Sequence, residues 1–421
     1  MTYEQALEYI HSVSWTFCKP GLERIGELCR RLGEPQQSLR FVHVAGTNGK
    51  GSFCSMLSSV LTEAGYRVGL YTSPYIRFFN ERMCVNGEPI SNEELAELTE
   101  YVKPIADEMT DKPTEFELIT ALAFEFFKRH RCDVVVLEAG MGGRLDSTNI
   151  IRESLLSVIT GIALDHTAFL GDTVEKIAAE KAGIIKDGAP LLWGGDSPEA
   201  AEVIRARAVE MGSEFTAVNY RAIQNLRADL EGSTFDLGDR KNLHIGLLGL
   251  YQPRNATSVV TAVDILKKRG LNISDDALYR GLANARWQGR FEIIRRQPLT
   301  IFDGAHNPQG IASAVASIKH YFGDQRVYLL TGVLRDKDYT AIAKDLSQIA
   351  DRAFTLTPDS PRALSSEEYA NTLCEAGIDA CAHGSLKEAL DHATAEALRD
   401  GRPLVCLGSL YVYASLIPLV E

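Results

Sequence analysis

The 421-residue chain has no apolar run of membrane-spanning length and no block of lysines or arginines. The first absence removes a transmembrane helix, which needs about 20 consecutive apolar residues. The second, together with a formal net charge of −12, leaves no positive field for nucleic acid or for an anionic membrane surface. Cysteine is present but unorganised. Its eight positions, Cys18, Cys29, Cys54, Cys84, Cys132, Cys374, Cys381 and Cys406, include no C-x-x-C pair and no tight group with histidine. Reduced thiols are therefore expected rather than disulfides or structural zinc. No internal repeat or low-complexity segment occurs, so solenoid arrays are excluded. What remains is an acidic chain that is 45% hydrophobic and too long for one ordinary core. Two domains around a cleft are expected, in a soluble cytoplasmic monomer that handles small molecules.

Apolar runs alternate with helical patterns almost throughout. Runs at 39–44, 66–71, 132–137, 155–162, 190–193 and 243–248 read as strands, with helices clearest at 116–129, 174–184 and 256–268. This alternation predicts an α/β fold built on a doubly wound, mainly parallel sheet. Residues 219–240 read instead as short antiparallel strands with polar turns. The pattern restarts after Trp287-Gln288-Gly289-Arg290, with strands expected at 299–302, 327–331, 353–356 and 404–408. A division near Gly289 predicts a larger N-terminal α/β domain over 1–289 and a smaller, Rossmann-like α/β domain over 290–421.

The stretch Gly46-Thr47-Asn48-Gly49-Lys50-Gly51-Ser52 follows an apolar run and opens a helical pattern. Glycines at a strand-to-helix turn let backbone N–H groups and the helix end face an anion, while Lys50 reaches the outer phosphates of ATP. The common phosphate loop has a hydroxyl directly after the lysine, whereas Gly51 intervenes here. A plain glycine-rich turn is the competing reading.

Other groups of residues fall at strand ends, where open α/β sheets hold ligands. Glu138 leaves an apolar strand for a glycine-rich turn, a position suited to holding Mg²⁺ on bound phosphates or to capping that turn. Asp146 reads as a loop organiser. His166, after Asp165, could ligate a second metal with Asp165 or a backbone carbonyl orienting it, or simply end a strand. Lys181 borders a helical apolar stripe, and spacing alone makes it a surface lysine. Asp303, His306 and Asn307 precede a helix start suited to an anion or nucleotide, although a capping turn has the same pattern. Asn255 could cap a helix or bond a nucleotide.

Taken together and in this order, Gly46–Ser52, Thr72-Ser73-Pro74, Phe79-Asn80-Glu81-Arg82, Glu138 to Asp146, Leu164-Asp165-His166, Glu180 to Ile184, Gly289-Arg290 and Asp303 to Pro308 resemble the folylpolyglutamate synthase and dihydrofolate synthase family of the Mur ligase superfamily. The resemblance covers nearly the whole chain, and Gly51 is a feature of the folate branch. It implies that Gly46, Thr47, Asn48, Gly49, Lys50, Gly51 and Ser52 hold ATP, joined by Asn255, Arg290, Asp303 and Asn307. It implies Ser73, Glu138 and His166 as Mg²⁺ ligands, and a carbamylated Lys181 in support of a second Mg²⁺. His306 and Ser409 would position glutamate, and Glu81 and Arg82 would contact folate. One departure stands out: Tyr251-Gln252 occupies the place where the family usually has His-Gln.

The implied reaction transfers the γ-phosphoryl group of ATP to a carboxylate, and the amine of glutamate then displaces phosphate to form an amide. The acceptor implied is tetrahydrofolate, with dihydropteroate as a further one. Two competing readings are a ligase for UDP-muramoyl peptidoglycan precursors and a nucleotide-binding module without catalysis.

Overall fold

The computed structural model describes residues 1–12 and 21–420, so Cys18 lies outside the described residues. The first sheet has eight strands: β1 (Phe41–Ala45), β2 (Val68–Tyr71), β3 (Met83–Val85), β4 (Glu88–Pro89), β5 (Val134–Glu138), β6 (Leu156–Ile159), β7 (Leu191–Trp193) and β8 (Phe215–Ala217). Their spatial order is β4-β3-β2-β5-β1-β6-β7-β8. All pairings are parallel except β2 with β3 and β3 with β4. Every residue of β1 and β5 is buried, as expected for central parallel strands covered on both faces. The helices Lys50–Glu63 and Gln252–Lys268 cover one face and Glu115–Arg129 the other, each through a broad apolar stripe.

A three-stranded antiparallel sheet follows, formed by β9 (Ile223–Asp229), β10 (Gly232–Leu237) and β11 (Arg240–Ile245). The expected strand at 243–248 thus belongs to this small sheet and not to the doubly wound one. Leu243 and Ile245 are buried on one face of β11 while its other residues are more exposed. That alternation marks a one-sided antiparallel strand.

The third sheet comprises β12 (Glu292–Arg296), β13 (Leu299–Asp303), β14 (Val327–Thr331), β15 (Ala350–Thr355), β16 (Asp379–Ala382) and β17 (Leu404–Leu407), in the order β12-β13-β17-β14-β15-β16. Only β12 runs antiparallel to its neighbour. One of its cores is built on residues such as Ile301, Leu329, Ala353 and Val405, and the other on Phe302, Leu330, Phe354 and Cys406, where it also takes in Ile76. Strands β3, β4, β8, β12 and β16, which hydropathy did not mark, are short or lie at sheet edges, where polar residues are tolerated.

Parallel register brings the C-terminal ends of the strands together. Val44 pairs with Glu138 and Ala45 with Ile159, so the loops after β1, β5 and β6 meet at one point. In the third sheet Asp303 pairs with Leu407, which puts the loop after β13 beside Ser409.

Candidate active site

The loop after β1 turns through two glycines with positive φ, Gly46 at 152° and Gly49 at 86°. A Cβ on Gly46 would lie 2.0 Å from Thr160 Oγ1, and one on Gly49 would lie 2.9 Å from Asn255 Oδ1. Both positions therefore require glycine, for backbone freedom and for close approach. The loop is tied to β6: Thr47 N–H donates to the Gly161 carbonyl at 2.8 Å, and Thr160 Oγ1 donates to the Asn48 carbonyl at 2.8 Å. The helix Lys50–Glu63 begins with no side-chain cap, which leaves its first N–H groups directed out of the helix end, as an anion site requires.

Lys50 Nζ lies 3.7 Å from Glu138 Oε1. The other Glu138 oxygen accepts only a long bond, 3.4 Å, from the Ser73 backbone N–H. Burial raises the pKa of this carboxyl, with Lys50 opposing. A buried carboxylate with two long contacts retains acceptor capacity for a cation. Ser73 Oγ accepts from Arg82 Nη1 at 3.1 Å.

Lys181 departs from the surface reading. It is 4% exposed, and its Nζ donates to the Gly46 carbonyl at 2.8 Å. Burial, with Lys50 adding to it, lowers its pKa to about 7. Helical spacing could not reveal this, because the burying wall is the phosphate loop itself.

His166 sits at a left-handed backbone position, φ 51°, on the exposed rim of the cleft. Protein walls still withdraw enough water to lower its pKa, with Asp165 opposing and Lys337 adding. Asp165 does not orient the imidazole. It accepts from the His166 backbone N–H at 2.9 Å, from Lys337 Nζ at 3.0 Å and from Asn307 Nδ2 at 3.3 Å.

The last two partners come from the third sheet, so the cleft is closed by direct contacts. Asn48 Nδ2 donates to Gln309 Oε1 at 2.7 Å, and Asn307 Nδ2 donates to Asn48 Oδ1 at 3.2 Å. Asn307 also caps the helix Pro308–Phe322, accepting from Gly310 N–H at 2.8 Å. His306 Nδ1 donates to the Gly304 carbonyl at 2.8 Å, which leaves a lone pair on Nε2. Burial lowers its pKa to about 4, so the ring is neutral at pH 7.

Asp303 is buried and accepts from Tyr251 Oη at 2.8 Å, Phe291 N–H at 3.0 Å and Ala305 N–H at 2.8 Å. Burial raises its pKa, with Arg290 opposing most. Arg290 lies against Gly304, whose Cβ would meet Nη1 at 2.3 Å. Asn255 is not a cap: the helix starts at Gln252, and Asn255 Nδ2 donates back to Gln252 Oε1 at 2.9 Å, while Gln252 Nε2 donates to Ser52 Oγ at 3.2 Å.

A cavity of about 440 Å³ opens beside the loop, lined by Ser55, Leu70, Tyr75, Phe78, Glu81 and Trp287 among others. Glu81 turns its carboxylate to its own loop, accepting from Ile76 N–H at 2.8 Å and Arg77 N–H at 3.1 Å. The buried Arg82 stacks over Tyr75 and Phe79. Ser409 is buried beside this end of the third sheet and accepts from Tyr411 N–H at 3.3 Å. Asp146 accepts from Thr148 and Met141 N–H groups and organises its loop.

Sequence reasoning passed over Thr160, Trp287, Gln309 and Lys337. Lys337 stands in Arg335-Asp336-Lys337-Asp338, a charge run with the pattern of a solvated turn.

The Mur ligase middle domain family matches residues 44–263, and the Mur ligase glutamate ligase domain family matches residues 289–410. The chain is 41% identical to dihydrofolate synthase/folylpolyglutamate synthase of Bacillus subtilis over 86% of each protein. It is 37% identical to the folylpolyglutamate synthase of Lacticaseibacillus casei, over 99% of this chain and 98% of that one. The chain belongs to the folylpolyglutamate synthase and dihydrofolate synthase family of Mur ligases. Two solved members of this ligase family superpose on the whole chain. The Mycobacterium tuberculosis folylpolyglutamate synthase, complexed with ADP and AMPPCP, gives a TM-score of 0.91 at 30% identity, over 98% of its own length. The Escherichia coli member, in complex with DHPP and ADP, gives 0.88 at 31% identity, also over 98%.

Proposed function

We propose that this ligase joins L-glutamate to tetrahydrofolate through a γ-linked amide, with dihydropteroate as a further acceptor, in an ATP-driven reaction. The observation that carries the reading is the meeting of Lys50, Glu138 and Lys181 at one phosphate loop, facing Asp303, His306 and Asn307 across a cleft beside the 440 Å³ cavity. Residues 1–289 form the domain that holds ATP and folate, and residues 290–421 form the domain that adds nucleotide and glutamate contacts. The seven described cysteines are all free, which supports a cytoplasmic location. The protein acts as a monomer.

The folate lies in the cavity with its terminal carboxylate at the phosphate loop. An oxygen of that carboxylate attacks the γ-phosphorus of ATP, the bond to the β-phosphate oxygen breaks, and ADP leaves an acyl phosphate. Gly46–Gly51 amides and Lys50 balance the charge that spreads over the transferring oxygens. The amine of glutamate then attacks the acyl carbon and phosphate departs. His306, neutral with its Nε2 lone pair available, accepts a proton from that amine. Contacts such as Asp165–Lys337 and Asn48–Gln309 hold the cleft shut and keep water from the acyl phosphate.

The donors fit magnesium: Glu138 has unused acceptor capacity, and Ser73 and His166 flank the loop. Mg²⁺ held there would neutralise phosphate charge. Lys181, with a pKa of about 7, presents the neutral amine that carbamylation needs. Its nitrogen bonds the carbon of CO₂, a proton leaves to solvent, and the ammonium is replaced by an anionic carbamate beside the site.

The test is incubation of the pure protein with ATP, Mg²⁺, L-glutamate and tetrahydrofolate. Folate-dependent phosphate release and a product longer by one glutamate are expected. No folate-dependent release, or turnover with a UDP-muramoyl acceptor instead, overturns the reading.

A further inference from the structure

The edge strand β16 carries Cys381 and leads directly to His383, and the helix Leu386–Asp400 brings His392 and Glu396 alongside. Cys381, His383 and His392 each offer a ligand atom, and these atoms all lie within 4.8 Å of one another. Sequence reading missed the group because Cys381-Ala382-His383 is only a pair until the helix folds back.

The hydrogen bonding around the group leaves lone pairs facing inward. His392 Nε2 donates to Glu396 Oε1 at 3.0 Å, and Glu396 is itself held by two bonds from Arg352 at 3.0 and 3.1 Å. A carboxylate at Nε2 keeps the proton there, so Nδ1 of His392 bears a lone pair. That lone pair faces His383 Nε2 at 3.0 Å. With its proton on Nδ1, on the side of the Cys381 and Thr355 backbone, His383 turns the Nε2 lone pair towards His392. A cation between the rings uses the facing nitrogens of both. Two nitrogens bound tetrahedrally to zinc lie about 3.3 Å apart, close to the spacing seen, and a thiolate completes a third corner.

We propose that Cys381, His383 and His392 form a zinc-binding site, with Glu396 as a positioning residue and a fourth corner open to water. A sulfur and two imidazole nitrogens suit Zn²⁺ and not Mg²⁺, which prefers oxygen. In the sheet order β13, β17, β14, β15, β16, four strand spacings, about 19 Å, separate this site from Asp303. It therefore clamps the sheet edge to a helix and takes no part in ligation.

The experiment uses untagged, metal-free full-length protein in excess Mg²⁺, titrated with Co²⁺. A thiolate-to-cobalt charge-transfer band saturating at one ion per chain and displaced by Zn²⁺ is expected. Cys381→Ser should abolish it, and Glu396→Gln should weaken cobalt affinity by about 10- to 100-fold. Ligase turnover should persist in Cys381→Ser, which also reports that the variant folds. No band in the wild type, or the same band in Cys381→Ser, overturns the proposal. X-ray absorption on the zinc-loaded wild type needs no variant: one sulfur with nitrogen neighbours supports the site, and a shell without sulfur overturns it.

Discussion

Asp165 and Lys337 meet at 3.0 Å across the cleft, each with a side chain 13% exposed. One stands after β6 of the first sheet and the other after β14 of the third, so the pair reports closure directly. Lys337→Ala and Asp165→Asn should each lower kcat while leaving the melting temperature within a few degrees of wild type. A double-mutant cycle on stability should give a coupling on the order of 1 kcal/mol, as for partly solvated pairs. The pair also has a pH signature. Although burial alone would raise it, Lys337 brings the Asp165 pKa down to about 2 from 3.8. Its stabilisation is therefore complete above about pH 4 and is lost as pH falls towards 2. A cycle whose coupling is zero at pH 7 would remove the pair from the closure mechanism.

The same pair shows where sequence reading stopped. Asp165 was visible because it follows an apolar strand; Lys337 was not, because its partner lies 172 residues away and its local pattern is that of a solvated turn. The phosphate loop, Glu138 and Asp303 were legible because strand, turn and helix signals coincide within ten or so residues. Lys181 was legible only by resemblance, since helical periodicity places it at the edge of an apolar stripe and the burying surface comes from Gly46. The sheet to which β11 belongs is not legible in the sequence, because a short apolar run carries no information about its neighbours.

Burial, with Lys50 contributing, lowers the Lys181 pKa to about 7. A lowered lysine pKa costs stability while the folded state is charged, and that cost is relieved as pH rises from about 7 towards 10.5. Carbamylation requires the neutral amine, so activity should fall as pH drops below 7 and recover with added bicarbonate. Lys181→Arg, always charged, should lose roughly 100-fold or more in kcat. Mass spectrometry of the native protein should find an added carboxyl group on Lys181. Full activity in Lys181→Arg would defeat the carbamate assignment.

The proposed reaction gives Lys50 and Glu138 different parts of the same charge balance. Lys50→Ala should cost about 10² to 10³ in kcat, the scale for removing one electrostatic contact to a charged transition state. Glu138→Gln, which keeps the shape, should raise the Mg²⁺ concentration needed for half-maximal rate. Equal magnesium dependence in wild type and Glu138→Gln would take Glu138 out of the metal's ligand set.

Tyr251 donates to the buried Asp303 at 2.8 Å. Tyr251→Phe removes one of three donors from a buried carboxylate, which should cost about 1–3 kcal/mol of stability. Tyr251→His should recover part of that loss if the imidazole reaches Asp303. Chemical denaturation measures both. An unchanged midpoint in Tyr251→Phe would mean that the Phe291 and Ala305 amides suffice.

Gly51, the residue that breaks the common phosphate-loop pattern, lies under the Trp287 indole. A Cβ there would stand 2.4 Å from the ring, and Gly51 is absent from the positive-φ positions, so the demand for glycine is steric and not conformational. Trp287 also lines the 440 Å³ cavity. Gly51→Ala should therefore push the indole towards the folate side while the phosphate amides stay in place. Two energies compete: alanine in a helix gains up to about 1 kcal/mol over glycine, and overpacking costs about 1–3 kcal/mol. A net loss of stability is expected. In steady-state kinetics the KM for folate should rise roughly tenfold, equivalent to about 1.4 kcal/mol, with the KM for ATP nearly constant. A rise confined to the ATP KM would show that Gly51 serves the phosphates and not the cavity.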